Sequence, residues 1–293
     1  MIHLSRTDRN AVQLAYASED GLVTRQRIHD QYSFPPINFI EWVLSRTAWR
    51  GDEQVLDLGA GQGAYFEQVR MRIPQGELIA GDLSMGMARS AAAHPASGYV
   101  LNMDAERLPF PKHTFDAVLA NHMLFHVPNL ERALSEIHRV LKPSGVLLAS
   151  TNSLINMPEL ENLYKRVFGL LGVRARTDTL TAEPETHFYL EDAPRLAARH
   201  FFAVARHDLP STLVFSSAKP IVDYVNSTRA LREPTLPRGV IWKDFINVLA
   251  DQVQRAINHY GEVIITKLSG VIVASDMGGF SQSYVQSLMR AKH

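Results

Sequence analysis

The chain has 293 residues, 46% of them hydrophobic and 20% charged, a globular composition with room for one large α/β domain or a core carrying a smaller cap. Lys and Arg number 30, as do Asp and Glu, so the chain lacks the basic excess that usually accompanies binding to nucleic-acid phosphates. The absence of cysteine excludes disulfides, thiolate zinc sites, iron–sulfur clusters and cysteine nucleophiles.

Taken in chain order, MIHLSRTDRNAVQLAY lacks the apolar centre of a signal peptide, and no run approaches the ~18 apolar residues that span a bilayer. The expectation is a cytoplasmic protein with no membrane and no nucleic-acid partner. Residues 1–50 read as a helical cap, with PPINFIEWVLSRT opening on a proline pair. From Glu53, short apolar runs alternate with helical stretches. Strands are predicted at 53–58, 77–81, 98–102, 115–120 and 145–150, each the kind of run that suits a strand buried on both faces of a parallel sheet. Between the last two, 129–141 places Leu130, Ala133, Leu134, Ile137, Val140 and Leu141 on one stripe, with Asn129 as N-cap and KPSG as the stop. Beyond Ser150 the pattern predicts helices and loops over 152–200, a strand at 203–209, a helical insert to about 258, and strands over 262–274.

The glycines of VLDLGAGQGAY (55–65) stand between a predicted strand and a helix, where backbone N–H groups converge without side chains in the way. Gly59, Gly61 and Gly63 fit a Gly-x-Gly-x-Gly loop for an adenosyl cofactor. With Ala64 the same loop also fits Gly-x-Gly-x-x-Ala, a dinucleotide fingerprint. A tight strand–helix turn with no ligand is the third option. Asp82, ending the second predicted strand in ELIAGDLS, is a carboxylate able to accept both hydroxyl hydrogens of a ribose. Both templates share that acid, which could instead cap the helix after it, as could Ser84.

The third predicted strand runs into NMDAERLPFPKHTFDAVLA (102–120), with Asp104 at its tip, where a carboxylate can accept from an adenine amino group. With VLDLGAGQGAY, AGDLS, MDAERLPFPKHTFDAVLANHMLFHV and HRVLKPSGVLLAST following one another in order, the sequence resembles the class I S-adenosylmethionine-dependent methyltransferases. The similarity is to the small-molecule branch that includes the ubiquinone and menaquinone methyltransferases, and it is close over 53–151. The resemblance implies a Rossmann-like, doubly wound α/β fold with a seven-stranded sheet, mostly parallel, its last hairpin antiparallel. It implies three regions: an N-terminal helical cap at 1–50, an S-adenosylmethionine-binding core at 51–151, and substrate-side helices, a helical lid insert (about 211–258) and C-terminal strands at 152–293.

It also implies roles. Asp57 and the Gly59–Gly61–Gly63 loop would lie against the methionine part of the cofactor, Asp82 on the ribose and Leu83 against the adenine. Asp104 and the backbone of Ala105 would read the adenine edge, and Asn121 would lie under the sulfonium. Tyr32 and Arg27, in the N-terminal helices, are further candidate contacts, or else a packed Tyr and a surface Arg. The acceptor would be a small molecule, apolar or aromatic, methylated by in-line displacement.

Such a transfer mainly needs the acceptor held close and dry, and a general base helps when a hydroxyl must lose its proton. His122 is the first candidate base, followed by His126, His187 and His207. His122 and His126 lack the Glu and third ligand of a zincin, so no metal is expected. The Asn/Asp-Pro-Pro-Tyr/Phe motif is absent after the fourth strand, where NHMLFH stands, and this disfavours amino-methylation of nucleic-acid bases. Phe168, Phe188, Tyr189, Phe215, Tyr224, Trp242 and Phe245 either line an acceptor pocket or pack the lid. Two rival readings are an NAD-dependent oxidoreductase, although no Tyr-x-x-x-Lys pair is present, and a non-catalytic adenosyl-binding protein.

Overall fold

A computed structural model of the protein describes residues 20–173 and 188–277. Over those residues the chain forms two compact units: a helical unit of 20–37, 155–173 and 210–268, and a sheet unit of 38–154, 188–209 and 269–277. In chain order the helical unit begins with α1 (Asp20–Tyr32) and β1 (Ser33–Phe34). The sheet unit follows with α2 (Phe39–Leu44), β2 (Gln54–Leu58), α3 (Phe66–Arg72), β3 (Glu77–Asp82), α4 (Met85–Ala93), β4 (Tyr99–Asn102), β5 (Phe115–Leu119), α5 (Leu130–Val140) and β6 (Leu141–Asn152). Then come α6 (Pro158–Leu170), α7 (Ala193–Ala197), β7 (Ala203–Phe215), α8 (Ala218–Asn226), α9 (Arg229–Arg232), α10 (Trp242–Tyr260) and β8 (Val263–Ser275). Strands β7 and β8 contribute residues to both units.

The sheet runs β1-β7-β8-β6-β5-β2-β3-β4. Its sheet-unit portion has the seven strands expected from the sequence, with β2, β3, β4, β5 and β6 pairing in parallel and β8 antiparallel to β6. The eighth strand corrects the expected count. Ser33 and Phe34 pair antiparallel with Leu213 and Thr212, and a two-residue strand is too short to show a periodicity. β2 lies between β5 and β3, so the order reverses there and opens a crevice at the carboxyl ends of the strands. Val55, Leu56 and Leu58 of β2 are buried, as expected of a strand covered on both faces.

Two strands are longer than their patterns suggest. β7 extends to Phe215 rather than stopping at 209, because Pro210 reads as a breaker in sequence but lies within the strand. β6 starts at Leu141, so KPSG is strand rather than a helix-terminating turn, and the register against β5 shifts between Phe115 and Ala117 to accommodate it. The α5 helix forms as expected, with Leu130, Ala133, Leu134, Ile137 and Val140 buried. Its N-cap Asn129 accepts the Arg132 N–H at 3.0 Å. α2 starts after the proline pair, with the Asn38 side chain accepting the Glu41 N–H.

The aromatics that could have lined a pocket are mostly packing residues. Phe168, Phe215, Trp242 and Phe245 are buried in the helical unit, where Phe168 and Phe245 stack with centroids 5.2 Å apart. Phe188 and Tyr189 are buried in the sheet unit.

Candidate functional site

The glycine loop leaves β2 at the strand-order reversal and returns into α3. Gly59, Gly61 and Gly63 have φ of +70°, +58° and +88°, a left-handed backbone that glycine adopts without a Cβ penalty. Gly59 has a second constraint, because a Cβ there would lie 2.7 Å from the Cβ of Met123. The loop's amides are largely used internally. Gly59 and Ala60 donate to the Gly81 carbonyl at 2.7 and 3.1 Å, Gly63 to the Ala60 carbonyl at 2.9 Å, and Gly61 to Asp82 Oδ2 at 3.0 Å.

Asp82 therefore holds the loop as well as ending β3. Its other oxygen accepts the Ser84 N–H at 2.8 Å, while Ser84 itself caps α4 through the Met87 N–H. Burial pushes the Asp82 carboxyl above its ordinary range, against the pull of those two N–H donors. Asp57, at the tip of β2, is 2% exposed, and burial followed by the charge of Asp82 pushes its carboxyl up to about 7. Two neighbouring carboxylates in a dry site make that crevice favourable for a cation.

Register extends the site across the sheet. Asp57 pairs with Leu119 and Leu119 with Leu148, and the ladder continues past β5 through Ala120 N–H to the Leu148 carbonyl and His122 N–H to the Ser150 carbonyl. With side chains alternating at period two, Asp57, Asn121 and Ser150 share one face. Among the described residues, Asp57 Oδ2 and both amide atoms of Asn121 are buried without a hydrogen-bond partner. Each such group costs about 1–3 kcal/mol if left unsatisfied, so the tips of β2 and β5 are suited to a ligand rich in donors and acceptors. Tyr65, at the N-cap of α3, is buried beside this row, and burial followed by the charge of Asp57 drives its hydroxyl pKa upward, while Tyr65 Oη and Ser150 Oγ are likewise buried without a hydrogen-bond partner among the described residues. Sequence reasoning missed Tyr65 and Ser150. The only available signals were a tyrosine closing the glycine motif and a lone hydroxyl in the apolar run GVLLAS.

The remaining candidates occupy several positions. Asn102 Nδ2 donates to the Asp82 and Leu83 carbonyls at 2.9 Å each, tying the β4 tip to the β3 tip. Asp104 accepts the Glu106 N–H at 2.9 Å through Oδ1, and Ala105 is buried. His122 has a φ of +53°, a conformation that costs a non-glycine residue energy and is concentrated at functional sites. Its ring packs against Phe39 at 5.3 Å and Phe125 at 6.4 Å. The His126 ring contacts Phe125. His207 is half-buried, and burial with nearby Arg46 lowers its pKa. His187 lies outside the described residues. Tyr32 and Arg27 belong to α1 of the helical unit, where Arg27 is exposed and Tyr32 packs on Phe215 at 4.9 Å. No cluster of three metal-ligating His, Asp or Glu side chains occurs among the described residues, and no described helix is long and apolar enough to cross a membrane.

A glycine loop at a strand-order reversal, an acid ending the next strand and unpaired polar groups at the strand tips define a doubly wound α/β protein built to hold a nucleoside cofactor. Comparison with known proteins narrows the class. The methyltransferase-domain family matches residues 56–149. The chain is 31% identical over 183 residues to the ubiquinone/menaquinone biosynthesis C-methyltransferase UbiE of Syntrophotalea carbinolica, covering 57% of this chain and 76% of that one. It is 31% identical over 180 residues to a malonyl-[acyl-carrier protein] O-methyltransferase of Methylococcus capsulatus, covering 60% of this chain and 64% of the relative. The fold matches that of phosphoethanolamine N-methyltransferase 2 from Haemonchus contortus, solved with S-adenosylhomocysteine, at a TM-score of 0.54 and 15% identity over 93% of this chain and 60% of that one. For most of the curated relatives it matches, the Methylococcus protein among them, the match spans about half to under two thirds of their length. The chain belongs to the class I S-adenosylmethionine-dependent methyltransferase family, whose cofactor is S-adenosylmethionine.

Proposed function

We propose that the protein transfers a methyl group from S-adenosylmethionine to a small molecule, and that the sheet-unit crevice holds the cofactor. The paired carboxylates carry this reading. Asp57 and Asp82 make the crevice favourable for a cation, whereas the pyrophosphate of a dinucleotide brings two negative charges to the same place. The amides of Gly59, Ala60, Gly61 and Gly63 already have protein acceptors, so they are not offered to a phosphate as a dinucleotide loop requires. Both observations weigh against an NAD-dependent oxidoreductase.

In this reading the glycine loop lets the methionine portion pass the backbone, with Asp57 beside its ammonium and the unpaired Asn121 amide near the sulfur. Asp82 accepts from the ribose hydroxyls through lone pairs that its two N–H donors leave open. Leu83 packs on the adenine, and Asp104 and the Ala105 backbone read its edge. When bound, the sulfonium supplies an activated methyl group. The acceptor is apolar or aromatic, and where it presents a hydroxyl His122 takes the proton. Phe39 holds the imidazole at the β5 tip. The relatives support methyl transfer as the reaction class, while they differ among themselves in the acceptor, which is left to experiment.

The test is thermal unfolding with S-adenosylhomocysteine and, separately, with NAD. A ligand at 100 times its dissociation constant adds roughly 2.7 kcal/mol. Stabilisation by S-adenosylhomocysteine alone is expected, and stabilisation by NAD alone overturns the proposal. Transfer of isotopically labelled methyl to a panel of phenols, amines and carbon acids then distinguishes an enzyme from a cofactor-binding protein without activity.

A further inference from the structure

Within the helical unit, one polar group lies inside an apolar cluster that otherwise has no use for it. Tyr164, on α6, is 2% exposed and packs against Phe245 at 5.6 Å, yet its hydroxyl has no hydrogen-bond partner among the described residues. Directly over its ring, 4.6 Å from the centroid, lies the guanidinium carbon of Arg232. Arg232 Nη2 donates to Glu161 Oε1 at 3.2 Å, and a third of the Arg232 side chain remains accessible. The Tyr224 ring is half-buried on the same cluster.

A purely structural role accounts for only part of this arrangement. The Arg232–Glu161 pair ties the short α9 to α6, and the stacked guanidinium covers the Tyr164 ring. Neither contact uses the Tyr164 hydroxyl, and the ion pair engages one of five guanidinium donors. A buried hydroxyl with nothing to bond is costly to a fold, and phenylalanine would pack there without that cost. An unpartnered hydroxyl on a ring that a planar guanidinium covers puts two donor groups on one side chain's surroundings, a set suited to an oxyanion, and the fork suits a planar, singly charged carboxylate. The nearby Glu161 charge disfavours a phosphate dianion at the same spot. Leu236, Val240 and Trp242 belong to the same apolar cluster.

We infer that Tyr164 and Arg232 form a binding site in the helical unit for the carboxylate of an apolar or aromatic acid. Tyr164 donates from its hydroxyl and Arg232 from the N–H groups that Glu161 does not use. The inference concerns binding in this unit and stands apart from the methyl-transfer proposal, so either can fail alone.

The test uses the full chain and benzoate as probe, with calorimetric titration and thermal unfolding. Benzoate is expected to bind and to raise the melting temperature of the wild type, whereas neutral benzamide and inorganic phosphate do neither. Tyr164→Phe, which removes one oxygen, is expected to fold with a wild-type melting temperature or higher and to weaken benzoate by about tenfold or more, the loss of one buried charge-assisted hydrogen bond. Arg232→Gln is expected to weaken it at least as much. Asp82→Ala, in the sheet unit, is expected to leave benzoate affinity unchanged. Absence of wild-type binding, equal binding by Tyr164→Phe, or equal affinity for benzamide or phosphate would each overturn the inference.

Discussion

Asp57 offers a direct check on the electrostatics of the crevice, because its predicted effect has a definite sign, size and pH window. Burial and the neighbouring Asp82 raise its carboxyl from 3.8 to about 7. The native carboxyl thus holds its proton more tightly than the unfolded one, and its stabilising contribution is complete below the unfolded pKa. As pH rises, that contribution declines, and it is lost once pH passes about 7. A shift of about three units corresponds to about 4 kcal/mol in total, of which roughly 3 kcal/mol falls between about pH 5 and about pH 8. Asp57→Asn keeps the shape of the side chain and removes the titration. The assay is urea unfolding of the ligand-free protein and variant at those two pH values. The wild type is expected to lose roughly 3 kcal/mol relative to Asp57→Asn on going from the lower pH to the higher. Taking the difference cancels groups that titrate alike in both proteins. A relative change under about 0.5 kcal/mol, or a relative gain for the wild type at the higher pH, would show that the crevice does not hold Asp57 as described.

Three further outcomes are expected. Asp82→Ala should weaken S-adenosylhomocysteine at least about tenfold by calorimetry, because a charge-assisted pair and an anchor of the Gly61 amide are lost together; unchanged affinity would refute its role. His122→Ala should lower kcat by roughly 10²–10⁴-fold on a hydroxyl acceptor and remove the matching limb of the pH–rate profile, and wild-type turnover would exclude it as the base. Gly59→Ala should cost roughly 2–4 kcal/mol in thermal unfolding, from a φ of +70° and a Cβ placed 2.7 Å from that of Met123, and a neutral effect would contradict that geometry.

Much of the sheet unit was legible in the order of residues, because its information is local. Buried parallel strands are short apolar runs, and a helix between them carries a stripe and a cap, as 129–141 does. The loop's three positive-φ positions are all glycine, the residue that takes that backbone without a Cβ penalty, and the acid that ends the next strand follows them in the same motif order. Chain order and side-chain chemistry were therefore enough to indicate a nucleoside-binding α/β fold and, through resemblance, its family.

The tertiary structure decided what depends on partners distant in sequence. Ser33 and Phe34 become a strand only because Leu213 and Thr212 lie opposite, and β7 runs through Pro210 because the ladder beyond that residue continues. Asp57, Asn121 and Ser150 share one face through the register of three strands, which no single stretch encodes. The same holds for Tyr164 and Arg232, a tyrosine and a cation on different helices whose meaning comes from the guanidinium lying 4.6 Å from the ring centroid. Glycine positions and apolar periods act on neighbours along the chain and can be read there. Unsatisfied polar groups and shifted carboxyls reflect burial, which is fixed only when the chain has folded.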